Sequence, residues 1–509
     1  MKNILFAISN LVLFLSLSVF SADWPQFKRT PDRQGCNLGE SITLPGKLCA
    51  WADFGSPIQG SPAVVAGKAY CIAGNGLFAR IDLATNAVDW RAHLGGVEND
   101  GSPAVGGGKV YIGTKSGSFY VLDANTGAIL KQYSAGAPIF ASPLLLSSGV
   151  YFGSFDSTFH ALDLSGNLKW TYKAEVHIIH AAAGYGGQIV LVDGDNHMMW
   201  LTDNGTSCTQ VRKLHYEGGA SQGTSFLSPP MIWNGKIYVA RGEVELDPYT
   251  HRLTRFDFAT GAEEAVLGPQ ATVRTCASVD TVSGAIFAGS AYGGLEACGL
   301  WSTTSNYGIF PFGLYGTNSS PAVISNCVIF GSEQSLDTGG CAIYFYAKTS
   351  SNPDGGTKLW SYRPASGKAI SSSPAVSDGR VVVGSMDGCL YGFWNGTAVS
   401  APVTVDSLGT GMAKGALATP GQWTLSVFPN PVTGGRVTME TSGIPAGAVV
   451  FVHDISGARV AEFKVGAAGR MSWDLKDFRG HSVAAGPYFA QVRGRDGETI
   501  ESFNLHVLR

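Results

Sequence analysis

Hydrophobic and polar residues alternate along most of this chain in short runs that are separated by turn-forming residues. Residues 108–127, "GKVYIGTKSGSFYVLDANTG", contain two such alternating runs, each followed by a cluster of Gly, Ser, Asn or Asp. Alternation with a period of two predicts strands with one buried face, and these turn residues favour hairpins. The chain is therefore predicted to be all-β.

The same sequence motif recurs along the chain. Each copy begins with Ser-Pro-Ala, and Gly-Lys-Val-Tyr-x-Gly follows after a few residues. A turn then leads to a strand that ends in Leu-Asp, and x-x-Thr-Gly precedes the last strand. Clear copies begin at Ser61, Ser102, Ser142, Ser228, Ser320 and Ser373, and weaker copies begin near Ala181 and Ala277. Four strands in about forty residues are typical of a propeller blade. Eight copies predict an eight-bladed β-propeller.

Tryptophans recur at one position of the fourth strand, as Trp90, Trp170 and Trp360. We expect their indoles to pack against a neighbouring blade. The last copy lacks such a strand, whereas "KLCAWADF" around Trp51 precedes the first copy with no earlier strands of its own. We expect the Trp51 strand to complete the last blade, because ring closure leaves no sheet edge unpaired.

The N-terminus has the order of a secretory signal peptide. Lys2 precedes an apolar run over residues 4–20, and small residues follow at Ser21 and Ala22. Residues 1–21 are therefore predicted to be a signal peptide, with a retained membrane anchor as the alternative. No other segment is long and apolar enough to span a bilayer, so no transmembrane segment is predicted in the mature chain.

Composition narrows the function classes. The 509 residues are 45% hydrophobic and 14% charged, with a net charge of -3. This argues against disorder, and the lack of a basic run argues against nucleic acid as a partner. The nine cysteines form no CxxC motif or Cys/His cluster, so neither a metal site nor a specific disulfide is predicted.

The pattern changes near the C-terminus. Residues 22–399 carry the repeat, and residues 400–421 form a linker rich in small residues. In residues 422–509 hydrophobic and polar residues still alternate, but the repeat motif is absent. Strands between turn signals in this last segment predict a small Ig-like β-sandwich.

The repeat region resembles the PQQ-like (pyrroloquinoline-quinone-type) propeller superfamily. The resemblance is carried by "DWPQFKRTPDRQG" and by repeats of the type "SPAV..GKVYIG...G..YVLD..TG...W". It implies the propeller fold and fixes no activity. The superfamily includes quinoprotein alcohol dehydrogenases, the propeller lipoprotein of outer-membrane barrel assembly, and many secreted proteins without a known activity.

The quinoprotein dehydrogenases of this superfamily carry an adjacent cysteine pair over the cofactor, Ca²⁺ ligands from Glu, Asn and Asp, a catalytic Asp, and long insertions. This sequence has no Cys-Cys dipeptide, and its blades are short. We therefore predict no cofactor and no enzymatic activity, with a PQQ-dependent oxidoreductase as the alternative.

Residues that precede each Ser-Pro are expected to line one mouth of the channel. The polar candidates for ligand contact are Gln59, Asp100, His177, His180, Arg274 and Asn318. They include no paired carboxylates and no nucleophile with a base, so no catalytic residue is predicted. The two histidines lack enough partners for a metal site, and residues 193–196, "DGDN", are expected to be a hairpin turn because the later Glu of a calcium loop is missing.

The C-terminal segment resembles the sorting domain of the type IX secretion system, itself similar to the Ig-like fold of flagellar hook-cap proteins. The matching residues are the FPNP opening at 428–431, the DISG turn at 454–457 with Val460, Trp473 with Asp474, Gly480, and the GPYF strand start at 486–489. Pro487 departs from the small or β-branched residue that is usual there. An adhesive Ig-like module is the alternative.

The sequence thus predicts a secreted or outer-surface propeller that acts as a binding or scaffold module and reaches its place through the periplasm. Its partners are expected to be the outer-membrane secretion machinery and a protein or polysaccharide ligand. A carbohydrate- or polymer-binding adhesion protein is a further alternative, supported only by Trp200, Trp233 and Trp301, which are expected to be exposed.

Overall fold

The computed structural model describes residues 23–95, 101–216, 226–242, 251–267, 273–289, 300–302, 317–333, 341–348, 357–405, 424–428, 436–442, 448–453, 459–465, 470–483, 486–493 and 499–507. Regular structure within these ranges consists of β-strands, which confirms the all-β prediction. The part of the chain described contains no helix long and apolar enough to cross a membrane. The chain divides into two compact units, Met1–Ser407 and Leu408–Arg509.

The first unit is built from small antiparallel sheets whose strands follow one another in the chain. Two strands precede the first repeat, β1 (Cys36–Asn37) and β2 (Lys47–Asp53). The first blade consists of β3 (Ala63–Val65), β4 (Lys68–Ile72), β5 (Leu77–Asp82) and β6 (Ala87–His93). The second blade consists of β7 (Ala104–Gly106), β8 (Lys109–Gly113), β9 (Ser118–Asp123) and β10 (Ile129–Ser134). The third blade consists of β11 (Leu144–Leu146), β12 (Gly149–Gly153), β13 (Thr158–Leu162) and β14 (Leu168–Lys173).

The following sheets have the same plan. The fourth blade consists of β15 (Ala183–Tyr185), β16 (Gln188–Val192), β17 (His197–Asp203) and β18 (Cys208–His215). The fifth blade consists of β19 (Met231–Trp233), β20 (Lys236–Gly242), β21 (His251–Asp257) and β22 (Glu263–Leu267). A three-stranded sheet consists of β23 (Ser278–Val279), β24 (Ile286–Gly289) and β25 (Leu300–Ser302). The last strands of the unit are β26 (Ala322–Ile324), β27 (Val328–Gly331), β28 (Ile343–Tyr346) and β29 (Lys358–Tyr362), then β30 (Ala375–Ser377), β31 (Arg380–Gly384), β32 (Cys389–Trp394) and β33 (Val403–Thr404).

Seven of these sheets contain four or five strands and form propeller blades. The closing blade joins β30, β31 and β32 to β2, with Trp51 opposite Tyr391. This confirms the prediction that the Trp51 strand completes the last blade. The short strand β33, within the residues predicted as linker, pairs in parallel with β2.

The first strand of each sheet lies innermost. Contacts join β3 to β7, β7 to β11, β11 to β15 and β15 to β19, and on the other side β23 to β26, β26 to β30 and β30 back to β3. Such contacts between successive first strands place them around a common axis, as in a propeller.

The strand register corrects the alignment of two copies by one residue. Ala104 pairs with Tyr111 in the second blade, Met231 pairs with Tyr238 in the fifth, and Ser278 pairs with Phe287 in the three-stranded sheet. The position of Ser102 is therefore taken by Pro229 and Cys276, and not by Ser228 and Ala277. The register is set by which residues pair across the strands and which side chains are buried. A Ser-Pro dipeptide does not fix the register on its own.

The repeated serine links neighbouring blades. The backbone N–H of Ser61 donates to Ser102 Oγ at 2.9 Å, and the N–H of Ser102 donates to Ser142 Oγ at 3.1 Å. Across the ring closure, the N–H of Ser320 donates to Ser373 Oγ at 2.9 Å, and that of Ser373 donates to Ser61 Oγ at 3.0 Å. We call these bonds the serine clasp. They explain why a small hydroxyl residue recurs at this buried position.

The repeated tryptophans pack as predicted. Trp90 is 8% exposed, and its indole N–H donates to the Ala124 carbonyl of the second blade at 3.0 Å. A Cβ atom added to Gly127, which has φ +73°, would lie 2.5 Å from the Trp90 ring. The glycine of the x-x-Thr-Gly turn is thus required both by its left-handed backbone and by the indole of the preceding blade.

An N-terminal stretch, residues 23–42, lies along the innermost strands; we call it the axial segment. It forms hydrogen bonds with one first strand after another, at the central residue of each three-residue strand and at the second residue of β23: Trp24 with Val64, Pro25 with Val105, Gln26 with Leu145, Pro31 with Gly184, Asp32 with Ile232, Gln34 with Val279, Gly35 with Val323, and Asn37 with Val376. Backbone groups that would otherwise be unpaired at the axis are therefore satisfied by this segment.

The second unit consists of two antiparallel sheets. Their strands are β34 (Thr424–Phe428), β35 (Val437–Ser442), β36 (Val449–His453), β37 (Arg459–Lys464), β38 (Arg470–Trp473), β39 (Gly486–Arg493) and β40 (Thr499–Val507). The sheet orders are β34-β35-β38 and β37-β36-β39-β40. Val437 and Met439 from one sheet and Val450 and Val452 from the other belong to one core, in which Trp473 packs edge-on against Tyr488.

The serine clasp gives a stability prediction. Ser102→Ala leaves the buried Ser61 N–H without its acceptor, which is expected to lower the free energy of unfolding by about 1–3 kcal/mol. Ser134→Ala, at an exposed strand end, is the control and is expected to change it by less than about 0.5 kcal/mol. Urea denaturation measures both variants, and equal effects would contradict the role of the clasp.

Candidate functional site

The predicted contact residues that the structure describes, which are all of them except Asp100, lie at one edge of the blades. Because the strands of each blade alternate in direction, the turn from the second to the third strand and the link to the next blade emerge at the same edge, which we call the 2–3 edge. The axial segment approaches the opposite edge, where Asp23 accepts from the Ala66 N–H in the β3–β4 turn and Glu40 from the Gly379 N–H in the β30–β31 turn. The two edges of the ring are therefore chemically different.

The six predicted residues have different surroundings. Gln59, Arg274 and Asn318 are exposed in links that lead into first strands. His177 and His180 are half-buried in the link to the fourth blade. Asp100 lies outside the described residues.

Asn318 belongs to a small network between two blades. Its side-chain amide donates to Glu333 Oε1 at 2.7 Å, and the Ser371 hydroxyl donates to the same oxygen at 2.8 Å. Asn318 and Ser371 occupy equivalent positions in successive blades, and Glu333 follows β27. The sequence indicated the first two positions but not Glu333, whose role depends on where its turn meets the neighbouring link.

His177 belongs to a row of rings that we call the aromatic strip, formed by Phe140, Phe155 and His177. The Phe155 ring stacks on His177 with centroids 5.0 Å apart and planes 17° apart, and the Phe140 ring lies 5.7 Å from Phe155. Lys115 Nζ lies 5.1 Å from the Phe140 centroid. Phe155 is 50% exposed, so the strip presents apolar surface at the 2–3 edge.

Sequence reasoning missed Phe155, although a signal was present. In the turn after the second strand, the equivalent residues of other blades are Gly74, Lys115, Gly194 and Met386. A phenylalanine at such an exposed turn position has no packing role within its own blade, and exposed aromatic residues often mark binding surfaces.

His180 has a structural partner. Its Nε2 lies 3.0 Å from the Phe226 carbonyl oxygen, and burial lowers the pKa of His180 to about 4. The imidazole is therefore neutral at pH 7, with Nε2–H as the donor to this carbonyl. His177 and His180 consequently contact different parts of the protein, although they are three residues apart.

The "DGDN" residues form the turn between β16 and β17, as predicted. Asp193 Oδ1 accepts from the backbone N–H groups of Asp195 and His197, each at 3.0 Å. This is an Asx-type turn, in which a carboxylate replaces backbone acceptors.

One serine lies close to a histidine. Ser154 Oγ is 3.0 Å from His160 Nε2, but Ser154 is fully buried, and its hydroxyl also contacts Asp156 and the Thr158 carbonyl. His160 Nδ1 meets the Tyr133 hydroxyl at 3.1 Å, and burial lowers the pKa of His160 to about 4. A buried serine with a weakly basic histidine stabilises the turn and does not suit nucleophilic catalysis.

Two buried cations hold the axial segment. Arg33 donates from Nε to the Ala182 carbonyl at 2.9 Å and from Nη2 to the Pro143 carbonyl at 3.1 Å. Lys28 Nζ donates to the Pro321 carbonyl at 2.6 Å and to Ser278 Oγ. Burial lowers the pKa of Lys28 to about 8 and that of Arg33 to about 10.

These carbonyls belong to residues that lead into, or lie beside, first strands of different blades. The two cations therefore tie the axial segment to the ring, and their charge is compensated by backbone dipoles.

The expected exposure of tryptophans was wrong for Trp200. Its ring is fully buried between the fourth and fifth blades, with the Arg212 guanidinium 5.3 Å from the ring centroid. Trp233 is half-buried against the core, and the side chain of Trp301 lies outside the described residues. Trp200 lies on the third strand of its blade, opposite Arg212, and packs into the core between blades. The exposed aromatic surface is the aromatic strip instead.

The comparisons with known proteins agree with this architecture. A family model described as outer membrane protein assembly factor BamB matches residues 43–144, about a fifth of the chain. No curated protein matches the chain significantly.

Several solved structures share the fold at low identity. BamB from Moraxella catarrhalis has a TM-score of 0.50 at 15% identity, over 70% of this chain and 99% of that one. Quinohemoprotein alcohol dehydrogenase from Comamonas testosteroni has a TM-score of 0.57 at 13% identity, over 75% and 82%. The computationally designed Ika8 protein has a TM-score of 0.52 at 16% identity, over 69% and 100%.

At these identities the similarity shows the fold alone. Proteins that are named as enzymes and proteins that are not share this fold. The family match, the repeated sheets and the closing blade agree with one another. The first unit of this chain is a β-propeller, and residues 43–144 within it carry the match to the BamB family model.

Proposed function

We propose that this protein is a secreted or surface-exposed propeller that acts as a binding or scaffold module and has no catalytic machinery of its own. The observation that carries the proposal is the difference between the two edges of the ring. The two ends of the axial segment contact turns at the opposite edge, whereas the 2–3 edge presents an apolar strip beside exposed polar links. Such a surface suits recognition.

The predicted contact residues belong to this proposal. Gln59, Asp100, His177, His180, Arg274 and Asn318 are proposed to surround the ligand at the 2–3 edge. The contacts of His177 with Phe155, and of Asn318 with Glu333, support a surface whose side chains are already oriented before binding.

The rival function is a PQQ-dependent oxidoreductase. Its fold-level support is the likeness to quinohemoprotein alcohol dehydrogenase, which at 13% identity does not extend to activity. Against it stands the sequence, which has no adjacent cysteine pair. The buried serine and histidine near the 2–3 edge are engaged in turn contacts.

Carbohydrate or polymer binding is a second candidate, and the aromatic strip favours it. The exposed Phe155 ring, with the half-buried rings of Phe140 and His177 beside it, offers an apolar face to an extended ligand, and Lys115 adds a cation at one end. This candidate is a specific form of the binding proposal.

We also propose that the three-stranded sheet is an eighth blade. The Cys276 N–H donates to Ser320 Oγ at 3.0 Å, which is the serine clasp found between other neighbours. The axial segment supports the same order, because Gln34 bonds to Val279 after Asp32 bonds to the fifth blade and before Gly35 bonds to β26.

We propose that the second unit is an Ig-like sorting domain of the type IX secretion system, which carries the exported chain across the outer membrane. Its support is the resemblance of the motifs, two of which have a packing role. Trp473 and Tyr488 are buried against each other, and the Trp473 indole N–H donates to the Lys476 carbonyl at 2.8 Å.

The binding proposal predicts that Phe155→Ala weakens binding to soluble polysaccharides about tenfold, which corresponds to ~1.4 kcal/mol. Val282→Ala is the matched control, because Val282 is an exposed hydrophobic residue in the β23–β24 turn at the opposite edge. Isothermal titration calorimetry of the mature chain measures both variants. Tight binding of pyrroloquinoline quinone with Ca²⁺, together with dye-linked alcohol oxidation, would overturn the proposal in favour of the enzyme.

The sorting proposal predicts that a chain lacking residues 422–509 folds and stays in the periplasm of a bacterium that has the type IX system. The full chain is expected outside the outer membrane, and in a strain without that system it is expected to remain in the periplasm. Immunoblots of periplasm, surface and medium measure this. Normal amounts of the truncated chain outside the cell would favour the adhesive Ig-like alternative.

A further inference from the structure

A cluster of ionisable side chains at the 2–3 edge of the fourth blade has no part in the proposed function. Asp195, His197 and His215 each present a ligand atom, and these atoms lie within 4.8 Å of one another. His197 and His215 are directly opposite on β17 and β18, with ring centroids 4.6 Å apart. Directly opposite residues hold their side chains on the same face of the sheet, so both imidazoles face one space.

The His197 ring is held in one orientation. Its Nδ1 lies 3.1 Å from Oδ2 of Asp193, a carboxylate with no exposed surface. When a metal binds, a carboxylate that accepts from Nδ1–H holds the imidazole in the tautomer whose Nε2 lone pair faces the ion. This is the second-shell arrangement that metal-binding histidines use.

A further carboxylate lies at the other ring nitrogen of His197. Glu175 Oε2 is 3.0 Å from His197 Nε2, and Glu175 Oε1 is paired with Lys213. Bonds from a metal to His and carboxylate ligands are about 2.0–2.2 Å long. Two ligand atoms 3.0 Å apart can therefore bind one ion, and the exposed Asp195 and His215 side chains have ligand atoms within 4.8 Å of the His197 ring nitrogen.

The same positions differ in the other blades. The cross-strand pairs that correspond to His197 and His215 are Leu77 with His93 in the first blade, Ser118 with Ser134 in the second, and Thr158 with Lys173 in the third. At the turn position of Asp193, the first to third blades have Ala73, Thr114 and Ser154. The fold itself thus does not require two histidines and a buried carboxylate here.

We propose that the fourth blade binds a divalent transition-metal ion of the Zn²⁺ type through His197, His215 and Asp195, with Glu175 as a fourth ligand and Asp193 as the positioning residue. Imidazoles combined with carboxylates suit this class of ion better than Ca²⁺ or Mg²⁺, which prefer oxygen ligands. The ion links the 2–3 turn, the end of the fourth strand and the preceding link of one blade. It adds a metal site to an edge otherwise assigned to ligand binding.

The test is isothermal titration calorimetry of Zn²⁺ into the mature chain without an affinity tag, with Co²⁺ absorption as a second readout. The wild type is expected to bind Zn²⁺ saturably in the micromolar range or tighter. Asp193→Asn is expected to weaken binding by about 10- to 100-fold, and His197→Ala and His215→Ala by at least as much. The Co²⁺ bands are expected to weaken in the same variants.

His93→Ala is the matched control, since His93 has the register of His215 in the first blade. It is expected to leave Zn²⁺ affinity unchanged. Because His215 is exposed, His215→Ala is expected to keep its metal-free melting temperature, which separates loss of a ligand from loss of folding. The proposal is overturned if the wild type shows no saturable Zn²⁺ binding, or if His215→Ala and His93→Ala change the affinity equally.

Discussion

The axial segment provides the interaction on which the rest of the propeller depends. Short first strands around an axis leave backbone N–H and C=O groups facing inward, and such groups are costly when buried without partners. Residues 24–37 supply these partners to one blade after another, and Lys28 and Arg33 add bonds to carbonyls beside the same strands. One continuous stretch of chain therefore holds blades that are far apart in the sequence.

The serine clasp and the Trp51 strand act between neighbours, whereas the axial segment acts across the ring. With closure provided by these buried contacts, the turns at the 2–3 edge carry little of the packing and are free to differ between blades. The differences are chemical: an aromatic strip beside the third blade, a histidine and carboxylate cluster in the fourth, and Glu333 with Asn318 further round. A repeated scaffold thus supports distinct local surfaces at one edge.

The sequence predicted the features that repeat. Strand alternation, Trp90 and the closing strand of Trp51 follow from buried patterns that one chain displays many times. It did not predict the role of the Ser61 and Ser102 hydroxyls, because their partners lie in adjacent blades. It also misjudged Trp200, because a repeat position says more about exposure than residue type does. The candidate site was predicted by position only, since contacts such as that of Phe155 with His177 arise where links from different blades meet.

Amide hydrogen exchange of the intact chain tests the central claim most directly. The amides of Trp24, Arg33 and Gly35 donate to backbone carbonyls, and that of Val105 donates to Pro25. Peptides covering residues 23–37 are expected to exchange as slowly as those covering β4 and β8, because the axial segment opens only with the ring. Exchange of residues 23–37 at the rate of an unfolded peptide, with the blades still protected, would contradict the account.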